Sequence, residues 1–271
     1  TQDVGLWISG TNSLLTVVSS TFQNNSGEGL FTGWSANLWL SGSTFTGNGS
    51  YPVHTDGNNL HRIFGGNTYT GNTPNRMLIW GTVLTANVTL PGGNGLDGYD
   101  LDHDLTVSKG YTLTVEPGVL VGGKDAVELQ VQGHLQALGT VTQPITFTSS
   151  SDTGPNQWAG LVFDGGTGHL RYATIRYGGD YDNSILPGYY YGSNIAIRNV
   201  LTGEVRLEHC HVRDERDSGG SPDYGIRAEN SHVVVSETTF TNIGNTTQDV
   251  GLWISGTNSL LTVVSSTFQN N

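Results

Sequence analysis

Residues 43–48 read Ser43-Thr44-Phe45-Thr46-Gly47-Asn48, and close variants of this phrase return along the whole chain. Ser20-Thr21-Phe22-Gln23-Asn24-Asn25 precedes it and Asn67-Thr68-Tyr69-Thr70-Gly71-Asn72 follows. Later come Ile145-Thr146-Phe147-Thr148, Ala173-Thr174-Ile175-Arg176, His211-Val212-Arg213 and Thr238-Thr239-Phe240-Thr241-Asn242, with a last copy around Phe268. The central apolar residues are 22, 45 and 69, then 147, 175, 212, 240 and 268, so the spacings are 23 and 24, then 28, 37, 28 and 28. The spacing from 69 to 147 is 78, and it holds three further strand-like phrases, at Asn87-Val88-Thr89-Leu90, Leu113-Thr114-Val115-Glu116 and Leu129-Gln130-Val131.

A period in the twenties, built from short strands and Gly/Asn turns, describes a solenoid. Helical repeats need Ala-, Leu-, Glu- and Lys-rich runs at period 3.6, which are missing. Leucine-rich, hexapeptide and calcium-binding nonapeptide frames do not recur either. The reading is an all-β, right-handed parallel β-helix of about ten to eleven coils with uncapped ends. In Thr44-Phe45-Thr46 the alternation sends the ring inward and both threonines outward. Stacked coils then predict one internal ladder through Phe22, Phe45, Tyr69, Phe147, Ile175, Val212, Phe240 and Phe268. Asn and Gly turn the chain, and asparagine amides can ladder between coils.

A longer repeat encloses the short one. Residues 1–25, TQDVGLWISGTNSLLTVVSSTFQNN, are identical to residues 247–271. This predicts one continuous β-helix over 1–271, in which 1–246 is a full tandem unit and 247–271 begins the next. Thr1 is neither an initiator Met nor part of a signal peptide, so the chain reads as a mature or excised piece of something longer. Terminal coils of identical sequence suit continuation, so the expected partners are copies of the unit itself, joined covalently or stacked end to end.

Composition narrows the function. Of the 271 residues, 39 are Gly and only 13% are charged, with a net charge of −12. Lys109 and Lys124 are the only lysines. Nucleic-acid binding and adsorption to an acidic membrane are therefore excluded. No apolar run is long enough for a membrane span. One cysteine, Cys210, excludes both an internal disulfide and a thiolate zinc site. Between His209 and His211 on a strand, it is expected to be a buried thiol.

Several stretches carry a family resemblance. Thr112-Leu113-Thr114-Val115-Glu116-Pro117-Gly118, Gly133-His134-Leu135-Gln136-Ala137-Leu138-Gly139-Thr140, Trp158-Ala159-Gly160-Leu161-Val162-Phe163 and Leu170-Arg171-Tyr172-Ala173-Thr174-Ile175-Arg176 resemble phrases of bacterial surface-exposed β-helix repeat proteins. These belong to the pectate-lyase-like β-helix superfamily, and the resemblance covers about 100–180. It implies the fold, and leaves lyases, hydrolases, adhesins and passive stalks as functions. It also implies where hydrolase chemistry would show: paired aspartates with Gly-His-Gly and Arg-Ile-Lys phrases. His54-Thr55-Asp56-Gly57-Asn58 resembles the first of these, but the other two are missing. The expected roles are a turn aspartate and a surface histidine, and no catalytic residue is assigned.

Asp97, Asp100, Asp102 and Asp104 form the densest acidic cluster and offer hard oxygen ligands for calcium, the one cofactor the sequence suggests. Two long loops interrupt the coils. Within 178–193 lie Asp180, Asp182, Tyr189, Tyr190 and Tyr191; within 213–224 lie Asp214 and Asp217. Tyrosines beside carboxylates suit polysaccharide binding or a contact between subunits. The six tryptophans, flanked by apolar residues, are expected mostly in the core. Thr-x-Thr phrases at 44–46, 68–70, 112–114, 140–142, 146–148 and 239–241 suggest ice binding as a minor alternative, interrupted by Gln23, Arg176 and Arg213. The expectation overall is a non-enzymatic structural protein: a segment of an extracellular or cell-surface fibre, stalk or adhesin. A polysaccharide lyase or glycoside hydrolase with a lateral groove is the alternative.

Overall fold

A computed structural model describes residues 3–179, 192–215, 222–244 and 248–271. The described chain is a parallel β-solenoid. One long sheet of eleven strands runs its length, from Leu6–Ile8 through Leu30–Thr32, Val53–Asp56, Arg76–Trp80 and Gly98–Leu101 to Thr239–Thr241 and Thr267–Gln269. A second sheet of seven strands runs from Val83–Leu84 to Val250–Ser255, and a third of seven from Val88–Leu90 to Leu260–Val264. Each coil visits the long, second and third sheets in turn. Before residue 83 two smaller sheets stand in their place: Leu14–Val18 with Asn37–Ser41, and Thr21–Gln23 with Thr44–Thr46 and Thr68–Thr70. The coil count, about nine turns in the 246-residue unit, is close to the expected one.

Local sequence explains the coil. Strands are short because a residue in the left-handed region ends many of them. Tyr177, Asp214, Asn242 and Asn270 take φ of 62°, 48°, 53° and 53° at one corner; Tyr172, His209, Glu237 and Ser265 take 46°, 51°, 46° and 48° at the preceding one. Each such residue costs roughly 1–2 kcal/mol unless it is Gly or Asn, which is why those two dominate the turns. The predicted asparagine ladder is present. Asn25 Nδ2 donates to Asn48 Oδ1 and Asn48 Nδ2 to Asn72 Oδ1, both at 2.7 Å. Asn48 thereby has its amide buried, although Asn48-Gly49-Ser50 matches an N-glycosylation sequon.

The internal ladder needs correcting. Phe22, Phe45 and Tyr69 stack at 4.8 and 5.4 Å in the short N-terminal sheet. Phe147, Ile175, Val212, Phe240 and Phe268 are in register in the long sheet instead. The two ladders lie on different faces. The break comes in the third coil, where the 3₁₀ turn Gly57–Arg62 replaces a strand. Above it the short sheet ends: a Cβ on Gly95, in the next coil, would meet the Tyr69 carbonyl, so the loop after Leu90 covers Tyr69. The Thr-x-Thr phrases are likewise dispersed. Those at 44–46 and 68–70 lie in the short sheet, 112–114 in the third and 146–148 and 239–241 in the long sheet, so they form no single threonine face.

Candidate functional site

Outward positions of the long sheet are normally solvated and polar, but in the first half of this chain they are not. Leu30, Val53, Met77, Tyr99 and Val121 point into the core. Their neighbours Trp7, Phe31, His54, Leu78, Asp100, Gly122 and Thr148 therefore form an outward row, each paired in register with the next. The aromatic members continue into a cluster. Trp7 packs edge-on to Phe31 at 5.2 Å, Phe31 edge-on to His54 at 4.7 Å, and His54 stacks on Trp80 at 4.9 Å. Trp80 stacks on His103 and meets the edge of Trp34 at 5.5 Å. Trp7 and Trp34 remain 66% and 67% exposed, so two indole faces are open to solvent.

Charged groups stand beside these rings. His54 Nδ1 lies 3.1 Å from Glu28 Oε1, with both side chains nearly buried. Asp100 is 2% exposed, accepting from Arg76 Nη1 at 3.1 Å and from the Tyr51 hydroxyl at 3.2 Å. Arg76 also donates to the Ser150 carbonyl at 2.9 Å. Burial raises the Asp100 carboxyl above the usual carboxylate range, and Arg76 and Tyr51 only partly offset this. Burial and the Asp100 charge also push the Tyr51 phenol up. One coil above Gly122, Arg176 holds Asp152 by paired bonds of 2.8 and 2.5 Å. Although partly buried, Asp152 is kept below its ordinary value by Arg176 and the Thr148 hydroxyl. Gly122 is needed here, since a Cβ would lie 2.8 Å from Asp100 Oδ1.

The predicted site residues fall as follows. Asp100, and Asp102 just past the strand's end, stand two residues apart, about 6.7 Å along an extended chain. Asp102 pairs with Lys124 and with His103 Nδ1. Asp104 accepts the Glu128 amide at 2.9 Å, and Asp97 is exposed beyond the strand's other end. The four are thus spread over separate partners, and the described residues contain no group of three or more His, Cys, Asp or Glu arranged to hold a metal ion. Asp56 is the expected turn aspartate, capping the 3₁₀ turn through the Asn58 amide at 2.8 Å. His54 is buried rather than on the surface, because the aromatic cluster covers it. Asp214 sits at a coil corner, paired with Arg213 and accepting from Asn242 at 3.0 Å. Asp180, Asp182, Tyr189, Tyr190, Tyr191 and Asp217 lie outside the described residues. Cys210 is the expected buried thiol, its pKa pushed up to about 12 by burial. Of the tryptophans, Trp158 is core; Trp7 and Trp39 are exposed because strand alternation turns them outward, and Trp34 because it sits on the turn between two strands.

Two hollows bear on the site. A depression of about 340 Å³ beside it is lined by Gly123, Lys124, Asp125, Ser150, Ser151 and Gln157. The more enclosed one, of about 270 Å³, lies at the 3₁₀ turn among Leu60, Phe64, Tyr69, Met77, Leu90 and Tyr99. It holds no carboxylate, imidazole or cation, so the outward row is the better candidate for chemistry.

Arg76, Tyr51, Glu28 and Asp152 are missed by motif reading, because each meets its partner one or more coils away. Coil spacing would have found some of them. Arg76 with Asp100 and Asp152 with Arg176 are opposite charges separated by 24 residues, one coil, as are Asp102 and Lys124 at 22.

The geometry offers exposed aromatic platforms beside buried, individually neutralised carboxylates. Such a surface can stack rings and hydrogen-bond hydroxyls. Comparison of the chain with curated proteins and with solved structures finds no match. Residues 81–199 match the family model described as a pectate-lyase like beta helix domain. That span includes Asp100, Gly122 and Asp152, and the parallel solenoid extends beyond it on both sides, so the stretch that is similar to a pectate-lyase-like β-helix domain lies within a longer β-solenoid.

Proposed function

We propose that this chain is a structural segment of an extracellular or cell-surface rod, a β-solenoid built from 246-residue units joined end to end. One observation carries the reading: the identical coil at 1–25 and 247–271, seen against a following coil in one copy and a preceding coil in the other. Val17 is 4% exposed beneath Leu40, whereas its counterpart Val263, which lacks a following coil, is 43% exposed. The same residue thus gains its burial from a coil of the kind found at 26–50. Stiffness in such a rod comes from continuous ladders of apolar rings and parallel backbone hydrogen bonds.

Solution scattering tests this. A chain of two successive units should be longer than one unit by about 45 Å, at nine-odd coils of ~4.8 Å, with an unchanged cross-section. Two compact particles on a flexible link would refute it.

A second reading, contact with polysaccharide on the outer face of the long sheet, is favoured by exposed Trp7 and Trp34 beside Asp100 and Arg76. Binding of acidic or neutral glycans that Trp34→Ala weakens about tenfold or more would support it. Depolymerisation abolished by Asp100→Asn with the fold retained would make the protein an enzyme.

A further inference from the structure

The two identical segments occupy different sheets. Leu6–Ile8 begins the long sheet, while its counterpart within Val250–Ser255 ends the second sheet. Thr21–Gln23 begins the short sheet, while Thr267–Gln269 ends the long one. The coil itself is unchanged: Asn12 and Asn258 have φ of 64° and 63°, Ser19 and Ser265 both 48°, and Asn24 and Asn270 56° and 53°. Along the long sheet, Leu6–Ile8 to Thr239–Thr241 is nine complete coils, and Val250–Ser255 follows one strand later. With three strands to a coil, the 246-residue unit is therefore nine coils and one strand. The 3₁₀ turn Gly57–Arg62 and the loop over Tyr69 mark where the two short sheets give way to the second and third.

We propose that the repeat has a rotation built into it: each successive unit starts one face further round the rod, and the faces come back into line after three units. This rests on the reading of the chain as part of a continuous solenoid, and the partner is another copy of the same unit. The junction is already visible in two halves. On its N-terminal side the shared coil pairs Leu252 with Ile226 and Phe268 with Phe240. On its C-terminal side it pairs Leu6 with Leu30 and Phe22 with Phe45. Ring stacking is 4.6 Å on one side and 4.8 Å on the other. Both sets can be satisfied at once only if the next unit's long sheet grows on this unit's second sheet. An unrotated array would have to move every strand of the junction coil to another face, breaking pairings that nothing else replaces. The surface bearing Trp34 and Asp100 then points in three directions in turn, with units about 45 Å apart and a full cycle of ~130 Å. A rod of this kind presents its sites all round to a surrounding matrix rather than along one edge.

The test is a chain of three successive units carrying Val141→Cys in each, labelled with maleimide gold and imaged by cryo-electron tomography. Val141 is exposed on a turn, and the native Cys210 is buried and unreactive to the label. The expected result is a straight rod with three labels about 45 Å apart, on three different sides. A straight rod with all labels on one side would overturn the rotation and leave the continuous solenoid standing. Separate particles on flexible links would overturn both. An unlabelled reconstruction of the same chain checks that the cysteine has not altered the coil.

Discussion

Phe45 is fully buried between two rings, Phe22 below and Tyr69 above, whereas Phe268 is stacked on Phe240 alone and is nearly half exposed. Phe45→Ala should therefore cost about 3–5 kcal/mol. Phe268→Ala should cost much less in the single-unit chain. Local exchange or denaturant midpoints compare the two. Asn48→Ala removes a buried amide bonded on both sides and leaves backbone and side-chain partners unmet, at a cost of about 1–3 kcal/mol. Asp100 behaves differently. Its carboxyl is raised in the folded state, so the protonated form is favoured by folding, and stability falls as pH rises through its folded pKa. Asp152 is lowered, so its contribution is present above the unfolded carboxylate value and is lost as acid protonates it. Asp100→Asn should then stabilise the protein at neutral pH, with the gain shrinking in acid. A gain that is constant with pH would contradict the assignment.

At the scale of elements, the 3₁₀ turn Gly57–Arg62 separates two regimes of the solenoid. Asp56 caps it, so Asp56→Ala should cost about 0.5–2 kcal/mol, with the loss seen as faster amide exchange over residues 57–63. Sequence made the strands legible because each is a local object: an apolar residue between threonines, closed by Gly or Asn. Parallel stacking followed from the coil-length spacing. Which face a strand occupies was not legible, because the three strands of a coil look alike in sequence. Thr68-Tyr69-Thr70 and Thr239-Phe240-Thr241 both place a ring between two threonines, yet they belong to different sheets. The outer-face site was hidden for a related reason. Its alternation is ordinary, and what distinguishes it is the match of residues one coil apart, such as Arg76 and Asp100. A register error of a single residue turns such a pair to opposite faces of the sheet.

For the whole molecule, the net charge of −12 with few lysines opposes side-by-side association of copies of the chain. The end-to-end stacking proposed above would depend instead on apolar and backbone pairing at the coil edge rather than on charge. The central claim is that the coil 247–271 is a junction completed by a following unit, and hydrogen exchange reads this directly. In the single-unit chain, the alternate amides of Leu260–Val264 and Thr267–Gln269 that face a following coil should exchange quickly, because that edge is free, whereas Leu260 and Thr267 already donate to the Ser231 and Thr238 carbonyls of the preceding coil. In a chain of two units the same amides should become as protected as those of His232–Ser236, an interior strand of the same sheet as Leu260–Val264. Protection that stays unchanged when the second unit is added would contradict the account.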